Sequence, residues 1–189
     1  MNINQIDQDN QTHPPLEPLR KHCRQEADTA NIARSFADLI SQLFLHTSQE
    51  DPPSRHINVA LEGNLGSGKT TFARYLIQAL GHDGSVKSPT YNLCEPYLVI
   101  NNGLEITIHH FDLYRMQTPL EWEEAGFAEY FDYPGVCLVE WPEKAEGTLP
   151  AFDLSVRLEA ISLFSTDDSE REITLKAKSA SGEFIISRL

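Results

Sequence analysis

The residues Gly63-Asn64-Leu65-Gly66-Ser67-Gly68-Lys69-Thr70 fit the pattern G-x-x-x-x-G-K-[ST]. Glycines at this spacing let backbone N–H groups converge on phosphate oxygens, and a helix starting at the lysine adds the positive end of its dipole. The loop backbone and the start of the helix are therefore the candidate phosphate cradle. Lys69 should reach the β- and γ-phosphates, and the Thr70 hydroxyl should face a Mg²⁺ ion.

A hard cation needs more oxygen ligands, including carboxylates. Two acids end apolar runs, Asp112 after "ITIHHF" and Glu140 after "VCLV". A carboxylate at a strand end beside a phosphate loop suits a metal ligand or a water-positioning group. Asp112, Glu140 and Lys69 are the candidates for the chemical step. How the two acids divide the work is open at this point, and a plain surface carboxylate is the competing reading for one of them. Thr90, in "SPTY", lies in the interval that often senses a γ-phosphate, although a plain turn competes there too. Tyr114, Arg115 and Trp141 sit next to these acids, where packing roles compete with ligand contact.

The elements needed to position these groups are readable from periodicity. "INVALEG" reads as a strand leading into the loop. Phe72, Tyr75, Leu76, Ala79 and Leu80 form one face of a following helix, and Gly81 suits its C-terminus. An earlier helix, capped near Asp28-Thr29, carries Ile32, Phe36, Leu39, Ile40, Leu43 and Phe44 on one face. "TSQEDPPSR" (47–55) reads as a polar loop. "YLVI" and "LEITIHHFD" read as strands around an Asn101-Asn102-Gly103 turn, because Asn-Gly favours hairpins. A short helical region follows near "PLEWEEAGFAEYF", then a buried strand, "GVCLVEW". "LSVRLEA", "REITLKAKSA" and "EFIISRL" read as strands, with a turn at Ser181-Gly182. These elements predict an α/β fold of the P-loop NTPase kind: a small sheet, flanking helices and antiparallel C-terminal strands. Residues 1–24 are polar and read as a flexible extension; residues 25–189 read as a single P-loop domain.

Composition narrows the function further. The chain of 189 residues carries 28 acidic and 15 basic side chains, a formal net charge of −13. Such a balance disfavours direct nucleic-acid binding. No apolar run approaches the roughly 20 residues of a membrane helix, and the first residues lack a signal peptide's apolar core. A cytoplasmic protein without membrane attachment is expected. Cys23, Cys94 and Cys137 form no C-x-x-C motif. No [NT]-K-x-D segment is present to read a guanine base. The interval after Thr118 carries Glu121, Glu123, Glu124 and Glu129 in place of a kinase's arginine-bearing lid. An ATPase working as a component of an assembly remains, beside a nucleotide-dependent scaffold that binds ATP without productive hydrolysis.

"GNLGSGKTTFARYLIQALG", "VKSPTYNLCEPY", "HHFDLYR", "EEAGFAEYFD" and "LVEWPEKAEGTLP" together resemble the TsaE (YjeE) family, over about Glu26 to Leu189. The resemblance implies ATP and Mg²⁺ as ligands and weak ATP hydrolysis in bacterial tRNA N6-threonylcarbamoyladenosine synthesis. It implies TsaB-like and TsaD-like partners whose turnover the ATPase supports, with tRNA met only through the complex. It makes Gly66, Ser67, Gly68, Lys69, Thr70 and Thr71 the segment that holds the phosphates, Thr70 and Glu140 the metal contacts and Thr90 a γ-phosphate sensor. It places Asp112 near metal, near water or in the switch, and a contact to the base near Glu26 to Thr29. Asn64 stands where the family often has an acid, and Ser67 where alanine is common.

Overall fold

The computed structural model describes residues 16–46, 56–161 and 170–189. Its centre is a sheet of strands β1 (Leu19–Cys23), β2 (His56–Glu62), β3 (Cys94–Asn101), β4 (Leu104–Asp112), β5 (Gly135–Glu140), β6 (Leu154–Ala160) and β7 (Arg171–Ala177). The spatial order is β1-β7-β6-β2-β5-β4-β3. β6, β2, β5 and β4 run parallel; β3 on one side and β7 on the other pair antiparallel with them, and β1 pairs antiparallel with β7 at the edge. This is an α/β fold of the P-loop NTPase kind.

The two central strands β2 and β5 are buried almost throughout because both their faces are covered. β5 (GVCLVE) is buried along its whole length. On one face Ile57, Val59, Leu61, Val136, Leu138, Val156 and Leu158 pack under helices α1 (Glu26–His46) and α2 (Lys69–Ala79). On the other, Phe111, Cys137 and Val139 pack with Trp122, Phe131 and Ala145. That side is covered by a one-turn helix α3 (Glu121–Glu124) and two 3₁₀ turns, Ala128–Phe131 and Pro142–Ala145.

Local signals account for most element ends. Asn102 and Gly103 both have positive φ, 49° and 80°, as the two-residue β3–β4 hairpin demands. α2 stops in a Schellman arrangement: His82 N donates to Ile77 O at 3.2 Å and Gly81 N to Gln78 O at 3.0 Å, with Gly81 at φ 120°. Asp28 does not precede α1 as a cap. It lies inside the first turn and its carboxylate accepts from the Arg24 and Gln25 amides, at 2.9 and 3.2 Å, as the acid of a capping box does.

Two expectations are corrected. The chain joins the fold before residue 25, since Leu19–Cys23 pairs with β7; the rest of the supposed extension, residues 1–15, lies outside the described residues. "LRKHC" has no strand pattern of its own and is ordered by the edge it pairs with. "EFIISRL" is not a strand. Its first residues belong to a helix α4 (Ala180–Ile186), whose N-cap Ser179 accepts from the Gly182 amide. Gly182 packs so tightly on Asp153 that a Cβ would lie 2.1 Å from its carbonyl oxygen. Gly182, Ile185 and Ile186 turn inward at helical spacing, and this burial overrides the β-branched preference of the segment. The 47–55 loop lies outside the described residues.

Candidate functional site

β2 ends at Glu62 and the loop 63–68 curls to the start of α2. Its path requires glycine at two points. Gly63 has φ 136°, and a Cβ there would lie 2.3 Å from Leu158 O. Gly68 has φ 101°, and a Cβ there would lie 1.9 Å from Arg171 Nη1. Arg171, buried on β7, also donates to Ser67 O at 3.2 Å and so holds the loop from behind. The first amides of α2 have no acceptor within the helix, so they face outward as donors.

At the C-terminal ends of β4 and β5 the register places Asp112 directly opposite Glu140. Both are nearly fully buried. Thr70 Oγ1 donates to Glu140 Oε2 at 2.9 Å, joining the helix start to the strand end. Asp112 Oδ2 accepts from Thr90 Oγ1 at 2.6 Å and from Ser88 Oγ, and Oδ1 accepts from the Tyr114 amide at 3.1 Å. The "SPTY" segment is thereby tied to β4 by its two hydroxyls.

Lys69 is folded onto its own loop. Its ammonium donates to Gly63 O at 2.7 Å and Asn64 O at 2.9 Å and lies 3.7 Å from the centre of the Trp141 ring. Burial lowers the Lys69 pKa, and the negative charges of Glu140, Glu143 and Asp112 oppose that shift. Trp141 holds a left-handed backbone, φ 59°, unusual for a bulky residue, and packs on Tyr114 at 4.9 Å between ring centres.

These groups enclose a cleft of about 340 Å³ lined by Gly66, Gly68, Lys69, Thr70, Thr71, Ser88, Thr90, Asp112, Glu140 and the aromatic pair Tyr114 and Trp141. It brings together nearly every site residue expected from the sequence. Ser67 is the exception: it is buried behind the loop, and its hydroxyl has no hydrogen-bond partner. Glu26 to Thr29 opens α1 and does not line the cleft. Arg115 does not pair with a carboxylate or line the cleft; it donates to Tyr91 Oη at 3.2 Å and lies 4.2 Å over that ring.

The donor set fits an anionic phosphate beside a hard cation. An ammonium, outward amides and hydroxyls suit phosphate oxygens. Glu140 Oε2 and Thr70 Oγ1 together offer oxygen ligands to a cation of the Mg²⁺ type.

Sequence reasoning assigned no role to two groups that the structure puts at the site. Ser88 shares Asp112 with Thr90. His110, fully buried, is 2.8 Å from Glu140 Oε1 through Nε2. Its signal was a polar residue two positions before Asp112 in an apolar strand, hence on the same face.

Comparison with known proteins follows this geometry. Residues 23–173 match the family model described as threonylcarbamoyl adenosine biosynthesis protein TsaE. The tRNA threonylcarbamoyladenosine biosynthesis protein TsaE of Haemophilus influenzae is 38% identical over 172 residues, covering 91% of this chain and 98% of that protein. The Bacillus subtilis protein of the same name is 40% identical over 119 residues, 63% of this chain and 68% of its own. The crystal structure of Bacillus subtilis YdiB superposes with a TM-score of 0.65 at 30% identity, covering 93% of this chain and 95% of that one.

Proposed function

From the premise that this chain belongs to the TsaE family of tRNA threonylcarbamoyladenosine biosynthesis, we propose that it binds ATP with Mg²⁺ in the 340 Å³ cleft and hydrolyses it weakly. It acts as an accessory component beside TsaB-like and TsaD-like proteins, supporting their turnover. The observation that carries this reading is the meeting of Lys69, Thr70, Asp112 and Glu140 in one cleft at the ends of adjacent parallel strands.

The residues have distinct tasks. The loop amides and Lys69 bind the phosphates; Lys69 must leave the Gly63 and Asn64 carbonyls to do so. Thr70 and Glu140 would hold Mg²⁺. When bound, that ion supplies charge neutralisation on the phosphate oxygens. Asp112, fixed by Ser88 and Thr90, orients the attacking water or relays the state of the phosphates to "SPTY". Tyr114 and Trp141 exclude bulk water from one wall.

A second reading, a nucleotide-dependent scaffold, has one observation in its favour. No arginine lines the cleft among the described residues, and transition-state charge in phosphoryl transfer is commonly met by one. The acidic balance of the chain, −13, agrees with tRNA being met by partners and not by this protein. No described helix is long and apolar enough to cross a membrane.

Multiple-turnover phosphate release separates the two readings. Slow release alone, raised by TsaB-like and TsaD-like partners and abolished by EDTA, is expected. ATP binding with no release in any mixture would leave the scaffold.

A further inference from the structure

Glu140 is anchored at both of its oxygens. Oε2 faces Thr70 in the cleft, while Oε1 points into the sheet and meets His110 Nε2 at 2.8 Å. His110 pairs in register with Leu138 and Asp112 with Glu140, so His110 and Glu140 are diagonal neighbours on the α2 side of the sheet. His110 is 0% exposed and Glu140 2%. A carboxylate offers only lone pairs, so Nε2 is the donor. Nδ1 has no hydrogen-bond partner among the described residues, so the polar contact the imidazole makes there is to Glu140.

We propose that His110 is the positioning residue for Glu140, dividing its two oxygens between the core and the nucleotide cleft. The proposal rests on the reading of Glu140 as a cation-holding group of an ATP site. An apolar residue at 110 would leave Oε1 buried without a donor, at a cost that favours rotating the carboxylate. Rotation would turn Oε1 toward the Thr70 hydroxyl and withdraw Oε2 from its position there. With His110 in place, one oxygen is reserved for the cleft, and its direction is set by a group that never touches the nucleotide. Such outer partners of metal-holding carboxylates control affinity without adding a ligand.

The experiment is calorimetric titration of the whole chain with ATP, once with Mg²⁺ and once in EDTA, for wild type, His110→Phe, His110→Gln and His110→Asn. Thermal unfolding of each variant checks the fold. His110→Phe should lower the Mg²⁺-dependent gain in affinity about 10-fold and leave the affinity in EDTA within about two-fold. His110→Gln, whose amide can reach Glu140, should recover most of the gain; His110→Asn, with a shorter side chain, should not. If His110→Phe does not fold, the Gln and Asn pair decides alone. An unchanged Mg²⁺-dependent gain in His110→Phe, equal losses in both media, or Gln behaving like Asn would overturn the proposal. A wild type that shows no gain with Mg²⁺ overturns the parent reading, and does so before any substitution is made.

Discussion

Two cavities lie on either side of the Gly63–Leu65 turn, and they differ in what they can bind. The larger, about 770 Å³, is bounded by Gly63, Asn64, the outward faces of β2 and β6 and the segment from Pro142 to Phe152. Its two cations are turned on its own walls: Arg157 pairs with Glu62 at 2.9 Å, and Lys178 lies 5.7 Å from the Phe152 ring. The smaller, about 340 Å³, has the helix start on one side and two strand-end carboxylates on the other. Volume does not choose the site. Parallel strands deliver their side chains to one end of the sheet, and a helix N-terminus there adds outward amides.

The contrast can be broken or sharpened by substitution. The largest expected effect is Lys69→Ala, which removes the sole ammonium lining the smaller cleft among the described residues. It should weaken ATP binding about 100-fold in calorimetry, the size typical of losing a buried charge partner. Equal binding by this variant and wild type would detach the cleft from nucleotide. Glu140→Gln comes next. It keeps an acceptor for Thr70 but removes the negative charge that a cation needs, so Mg²⁺-dependent phosphate release should fall about 10- to 100-fold with ATP affinity in EDTA retained. Full release would assign the work to Asp112. The smallest effect is expected across the turn. Phe152→Ala should change ATP affinity by less than about two-fold, since Phe152 lines the larger cavity and not the smaller one, and sites with no shared partner couple weakly. A larger change would mean that the two cavities act as one site.

Much of this site was legible along the chain. Glycine spacing, a strand before it and a 3.6-residue pattern after it are local signals, and they marked the loop. The Asn-Gly step marked the β3–β4 hairpin. Asp112 and Glu140 stood out because each closes an apolar run. "EFIISRL" misled because its β-branched residues favour a strand locally, whereas Ser179 capping and the burial of Ile185 and Ile186 favour a helix. "LRKHC" misled in the opposite sense: its burial alternates as in a strand, but Lys21 stands between Leu19 and Cys23 on the inward face and hides the apolar pattern. His110 drew no reading because its partner Glu140 lies 30 residues on, in another strand. In the strand its neighbour His109 faces the other side, stacked on Tyr130 at 4.3 Å between ring centres.

What the sequence determined by itself is the set of groups: an anion-binding loop, a hydroxyl for a cation and acids at strand ends. Each depends on a few consecutive residues whose backbone preferences are local. What only the tertiary structure decided is which groups meet. Thr70 and Glu140 are 70 residues apart, and Asp112 faces Glu140 because β4 and β5 pair in one register. Register between parallel strands is set by which faces are buried against helices elsewhere in the chain, a non-local balance of burial that no short stretch encodes. The partition of Glu140 between Thr70 and His110 belongs to that same register.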